Sequence, residues 1–177
     1  MASSNPQNSS KRMGQAMIAI GFILGIGMLT MLFDRQLDEM ANPNRNPQST
    51  FVQDGSVEVR LESNRQGHYV MTGAVNDIAA DFILDTGATD VVIPQGLARA
   101  AGLEYGPQSR AMTANGVVPV YATRIDELQL GSITLHDVRA SINPAMDDSI
   151  VLLGMSALGQ VEFTQRGSRL TLRYYPD

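Results

Sequence analysis

The chain has 177 residues, 13 basic and 18 acidic side chains, a net charge of −5 and no cysteine. That length holds one folded domain plus a tail, and the lack of cysteine excludes disulfides, thiolate zinc sites, cysteine nucleophiles and iron–sulfur clusters. The acidic balance, with a sequence pI of about 4.9, provides no basic face for binding nucleic acid. The single lysine, Lys11, stands near the N-terminus, and the two histidines, His68 and His136, are isolated. Schiff-base chemistry is therefore absent from the body of the chain. No metal or cofactor is expected, and carboxylates, hydroxyls and backbone groups must do whatever chemistry there is.

Residues 1–15 are polar, rich in Ser, Asn and Gln, and read as a disordered tail. Residues 16–33, AMIAIGFILGIGMLTMLF, carry no charge and no polar stripe, and approach the ~20 apolar residues that span a bilayer. A cleaved signal peptide would have a shorter apolar core, followed by a small-residue cleavage pattern. Here FDRQLDEM follows instead, so an uncleaved signal anchor is expected. Lys11 and Arg12 precede the span, and Asp34, Arg35, Asp38 and Glu39 follow it. The positive-inside rule then keeps the N-terminus cytoplasmic, with the body of the chain periplasmic if the membrane is a bacterial inner membrane. Gly21 and Gly25 form a small-xxx-small spacing, which permits close helix approach and is also common as tolerated glycine.

Residues 34–50 read as a linker, most clearly in Ala41–Thr50, ANPNRNPQST. The remainder, 51–177, reads as one mostly β domain. Ser56–Ser63 alternates Val57, Val59 and Leu61 with Glu58, Arg60 and Glu62, the period of a half-buried strand. After a turn at 64–67, further strands are expected over His68–Val75, Ile78–Leu84 and Val91–Ile93. Pro94 opens one or two helical turns that Gly102 ends. Asn115-Gly116 marks a hairpin between Ser109–Thr113 and Val117–Thr123. Gly131-Ser132 joins Leu128–Leu130 to Ile133–Leu135, and short strands follow at Val138–Ile142, Ile150–Leu153, Val161–Thr164 and Arg169–Tyr175. Regular short strands of this kind suggest a small closed or sandwich-like β fold.

The stretch most informative about function is Phe82-Ile83-Leu84-Asp85-Thr86-Gly87-Ala88, followed by a second apolar strand. Desolvation is most costly for an aspartate at the end of an apolar strand, so Asp85 needs partners. Thr86 offers a hydroxyl, and Gly87 permits close backbone approach. A local conflict of this sort with fold logic is the mark of a functional site. Asp147-Asp148 reads as a solvated loop tip. Gly154-Met155-Ser156-Ala157-Leu158 begins like a nucleophile elbow but lacks its last glycine, and no His–Asp pair accompanies it.

This segment resembles the active-site loop of the retropepsin-like aspartic proteases, whose signature is two apolar residues followed by Asp-Thr/Ser-Gly-Ala. The resemblance extends over essentially all of 51–177. Ala114, Asn115 and Gly116 stand where that family carries its flap, and Val151-Leu152-Leu153-Gly154 resembles its second apolar-apolar-Gly segment, with a short helix after it. The resemblance implies a closed β fold with one short helix, here preceded by a single transmembrane helix, as in a bacterial membrane-anchored branch of the group. It also implies Asp85 as the catalytic group, supported by Thr86, Gly87 and Ala88, with Val151, Leu152, Leu153 and Gly154 lining or supporting the substrate pockets. Thr89 departs from the pattern, standing where many retroviral members have an acid that contacts the substrate backbone.

Aspartic proteolysis uses two carboxylates sharing one proton. This chain has a single Asp-Thr/Ser-Gly, so a homodimer is required, with Asp85 supplied by each copy. The expected function is a membrane-anchored endopeptidase that cuts extended peptide segments, at acidic to neutral pH. The alternative is a non-catalytic dimeric peptide-binding module on the same anchor, although such a module would not need the acid.

Overall fold

The computed structural model describes residues 6–113, 116–147 and 150–176. It divides into two units, Met1–Glu39 and Met40–Asp177. The first is carried by helix α1, Pro6–Ala41. Within it, Gly14–Phe33 has a mean hydropathy of 2.4 and is long and apolar enough to cross a membrane. The helix extends beyond the expected span in both directions. Pro6 occupies its first position, where a missing N–H costs nothing. Once nucleated, a helix propagates cheaply through polar residues that contain no breaker. It stops at Ala41 because Pro43 disfavours helical geometry at Asn42.

The second unit is mostly β. Strands β1 (Gln48–Phe51), β2 (Val57–Glu62), β10 (Glu162–Arg166) and β11 (Arg169–Tyr174) form a four-stranded antiparallel sheet in the order β1-β2-β11-β10. A seven-stranded sheet contains β3 (Val70–Val75), β4 (Ile78–Leu84), β5 (Val91–Pro94), β6 (Gln108–Thr113), β7 (Gly116–Leu130), β8 (Ile133–Asn143) and β9 (Val151–Leu153). Its order is β3-β4-β9-β5-β8-β7-β6, and it closes on itself where β3 pairs with β7 at Ala74↔Gln129 and Val75↔Leu128. Two short helices complete the unit: α2 (Gln95–Ala100) and α3 (Met155–Leu158).

The closed, mostly β architecture is the one expected, and nearly every expected strand is present. Two pairs of strands that look separate in sequence are continuous. β7 runs through Asp126 and Glu127, and β8 runs through His136 and Asp137; the ladder steps over the Asp126–Asp137 position, where Asp137 takes a φ of +53°, and resumes in the same register at Glu127↔His136. Inside, Met71, Phe82, Ile93, Ile125, Leu128, Ile133, Leu135, Ile142 and Leu153 are fully buried. Val59, Leu61 and Leu172 of the smaller sheet join the same core.

The segment whose composition suggests a linker is bonded into the β unit from Asn42 onward. Asn44 Nδ2 donates to the carbonyls of Glu62 (2.9 Å) and Val70 (2.6 Å), and its Oδ1 accepts the Glu62 N–H at 2.8 Å. Asn42 Nδ2 donates to Thr72 Oγ1 and to Asp81 Oδ1, both at 2.9 Å. Both asparagines are buried, and β1 then pairs with β2 from Gln48↔Arg60 to Phe51↔Val57.

Candidate active site

Asp85 leaves the end of β4. That strand pairs in parallel with β9 in the register Phe82↔Val151, Ile83↔Leu152, Leu84↔Leu153, and β9 also meets β5 antiparallel at Val92↔Leu152. β9 therefore lies between the two strands that the loop 85–90 connects, and the loop must cross its end. The crossing is tightly bonded. The Asp85 N–H donates to the Leu153 carbonyl at 3.1 Å, and the Met155 and Ser156 N–H groups donate to the carbonyls of Ala88 (2.8 Å) and Thr89 (2.9 Å).

Gly154 makes the crossing possible. A Cβ there would stand 2.8 Å from the Ala88 carbonyl oxygen and would overlap the carbonyl of Asp90. Within the loop, Asp85 Oδ1 accepts the Gly87 N–H at 2.9 Å, and the Ala88 N–H donates to the Asp85 carbonyl at 3.2 Å. The carboxylate is thus oriented by its own turn. Asp85 and Ala88 are half-buried, whereas Thr86 and Gly87 are exposed. An ionised carboxylate held by a backbone N–H and still open to solvent can accept a proton from water.

The alternation of β9 separates its residues. Val151 and Leu153 are in the core, Leu152 is half-buried on the opposite face, and Gly154 is buried under the crossing. Val151 and Leu153 thus support the site from below, and Leu152 alone of the three reaches the surface. Ala114 and Asn115 of the expected flap lie outside the described residues. The β6–β7 hairpin is paired up to Thr113↔Gly116, with Gly116 at φ +112°. Near that end, Met112 and Val117 are 88% and 59% exposed.

Two supporting residues were not apparent from sequence. Ser156 Oγ accepts the Val91 N–H at 3.0 Å and donates to the Arg139 carbonyl at 2.7 Å, tying α3 to β5 and β8. The serine that begins like a nucleophile elbow is therefore a brace. Tyr69 accepts the Leu84 N–H through its carbonyl at 3.0 Å, one residue before the catalytic candidate. Only the pattern of Asp-Thr-Gly and Gly154 pointed to this region, and neither brace carries a local signal. Asp90 faces Arg139 at 3.4 Å on the far side of the loop.

Residues 71–160, which include the crossing, match the family model described as "gag-polyprotein putative aspartyl protease". The chain belongs to the retropepsin-like aspartic protease family. A retropepsin-like aspartic protease from Rickettsia conorii has the same fold, with a TM-score of 0.57 at 24% identity over 72% of this chain and 95% of that one. The protease of EIAV, solved with the inhibitor HBY-793, aligns with a TM-score of 0.44 at 17% identity, over 54% of this chain and 89% of that one. In sequence, this retropepsin-like chain is 31% identical over 126 residues to a Sinorhizobium sp. protein described as the uncharacterized protein in the cobV 5'region. That match takes in 68% of this chain and 53% of the other, so the chain spans about half the length of the curated relative it matches.

Proposed function

We propose that this retropepsin-like protein is a membrane-anchored homodimeric aspartic endopeptidase. Residues 16–33 serve as a single-pass anchor, with the N-terminal tail in the cytoplasm and the protease unit in the periplasm of a bacterial cell. The observation that carries the reading is the half-buried Asp85 carboxylate, held by the Gly87 N–H at the end of β4 in a chain with one Asp-Thr/Ser-Gly. Two copies bring two such carboxylates together with one proton between them. The ionised Asp85 takes a proton from water, and the protonated one hydrogen-bonds the scissile carbonyl. The water oxygen then adds to the carbonyl carbon, and the departing amine collects a proton as the C–N bond breaks.

The neighbouring residues suit that chemistry. The exposed Thr86 is available to hydrogen-bond across the pair of loops. Gly87, with no side chain, lets a peptide backbone approach. The β6–β7 hairpin, with Met112 and Val117 exposed near its end, is built to close over an extended peptide. Leu152 offers apolar surface beside the site.

The reading is tested with the full-length protein in detergent and an unstructured protein as substrate. Cleavage blocked by a statine-type transition-state mimic, and reduced at least ~10⁴-fold in Asp85→Asn, is the expected result. Cleavage that survives Asp85→Asn would overturn it.

A further inference from the structure

A cavity of about 640 Å³ opens at the end of the Asp85 loop. One wall is Asp90, the last residue of that loop, with Arg139 beside it. Another is the root of the β6–β7 hairpin. There the Gly106 N–H donates to the Ala122 carbonyl at 2.8 Å, and the Ala122 N–H donates to the Pro107 carbonyl at 3.0 Å. All three residues line the cavity. A Cβ on Gly106 would stand 2.7 Å from the Ala122 carbonyl oxygen, so only glycine lets the chain close this wall. The cavity thus lies between the two elements that would hold an extended substrate, the hairpin and the Asp85 loop.

Two side-chain oxygens of its lining, Asp90 Oδ1 and Thr123 Oγ1, are buried and have no hydrogen-bond partner among the described residues. Arg139 stands 3.4 Å from Asp90 Oδ1, paired in charge but not hydrogen-bonded. Buried groups without partners cost stability. A carboxylate oxygen only accepts, so whatever satisfies Asp90 must be a donor. The charges select among donors. Each guanidinium at the cavity already faces an acid, Arg139 facing Asp90 and Arg124 facing Asp137 Oδ1 at 2.6 Å. Glu104 and Asp126 also line the cavity, and among the described residues they form no ion pair. The uncompensated charge is therefore negative, and the donor that fits is a cation bearing N–H groups. Among the described residues, no acids cluster closely enough to hold a metal ion. Tyr105 in the lining, set edge-on to Tyr121 at 5.4 Å between ring centroids, suits an organic cation instead.

We infer that this cavity binds the lysine or arginine side chain of a peptide substrate, at a position remote from the bond that is cut. The inference rests on the endopeptidase reading above and adds to it a preference for basic substrates. An ammonium or guanidinium seated there donates to Asp90 Oδ1 and Thr123 Oγ1 and offsets the charge of Glu104 and Asp126. Its distance from the scissile bond is bounded. Asp90 follows Asp85 by five residues, a span of at most ~18 Å. An extended peptide rises ~3.3 Å per residue, so the basic residue falls within about six residues of the cut.

The test uses full-length protein in detergent. Mass-spectrometric mapping of the cuts in an unstructured protein is expected to show Lys or Arg enriched at one fixed position within that distance. Two peptides that differ only there, arginine against norleucine, should differ at least ~10-fold in kcat/KM, the worth of a hydrogen bond between charged groups. Thr123→Val keeps the shape and removes the hydroxyl. It should reduce that ratio at least ~3-fold, with the norleucine peptide cleaved as before. Glu104→Arg combined with Asp126→Arg should turn the preference toward a glutamate peptide. Both of these residues are exposed, so this variant tests the charge even where Thr123→Val does not fold. In Asp85→Asn, ligand-detected NMR should show N-acetyl-arginine amide bound and N-acetyl-norleucine amide unbound. Cuts without a basic preference overturn the inference and leave the endopeptidase standing. A preference that survives the charge variant overturns the cavity as its source. A protein that cuts nothing yet binds the arginine probe overturns the endopeptidase and the substrate role together, and leaves a site for a free basic ligand.

Discussion

The N–H of Asp85 donates to the carbonyl of Leu153 at 3.1 Å, joining the end of β4 to the end of β9 although the two residues lie far apart in sequence. This bond sets the crossing on which the whole site depends, because the next residue, Gly154, must admit the 85–90 loop over its backbone. Replacing Gly154 with alanine puts a Cβ 2.8 Å from the Ala88 carbonyl oxygen. Overpacking of this kind costs about 1–3 kcal/mol. Gly154→Ala is expected to lower the urea midpoint accordingly and to lose proteolysis. An unchanged midpoint would mean that the crossing is looser than described.

Ser156 gives a second expectation. Ser156→Ala leaves the N–H of the fully buried Val91 without its acceptor, at a cost of about 1–3 kcal/mol. The loss should appear in thermal unfolding. A serine-directed organophosphorus reagent should leave cleavage untouched, since the hydroxyl is occupied between Val91 and Arg139. Inactivation by such a reagent would contradict the assignment of a bracing role.

Sequence was most legible where chemistry and fold logic collide. Asp85 was visible because an acid has no reason to end an apolar strand unless something there uses it, and Gly154 because a glycine follows another apolar run. The braces were not visible, because the partners of Ser156 are backbone groups of β5 and β8 and hydrogen-bond geometry leaves no local pattern. Asn42 and Asn44 were misleading for the opposite reason. Asparagine and proline in series have the composition of a loop, yet two buried amides satisfying the edges of β2 and β3 make the segment part of the fold.

A third expectation follows from those amides. Asn44→Ala removes three side-chain bonds and strands the Val70 carbonyl and the Glu62 N–H. The expected loss is about 2–4 kcal/mol, from one or two buried groups left unpaired. Limited proteolysis should then cut first within 42–50. A change below about 0.5 kcal/mol, the range of ordinary surface substitutions, would show that the segment is only loosely attached.

The fourth expectation concerns acid. Bonds from Arg173, together with Arg60 alongside, hold the buried Glu58 carboxyl below its usual range, against the desolvation that pushes it up. A depressed folded value means that the stabilisation is complete above the carboxyl's ordinary value of 4.5 and is lost as pH falls through the folded one. Unfolding followed from neutral pH down through that window should show the wild type losing stability more steeply than Glu58→Gln. Parallel pH dependences would contradict the pairing.

The most direct test of the account is to mix wild-type and Asp85→Asn chains under conditions in which subunits exchange. If each copy supplies one half of the carboxylate pair, a mixed dimer has a single Asp85 and is inactive. Equal mixing should then leave about a quarter of the activity expected for undiluted wild-type chains, and activity should fall as the square of the wild-type fraction. A linear fall, with about half the activity remaining at equal mixing, would show that one chain carries the whole reaction and would contradict the shared site.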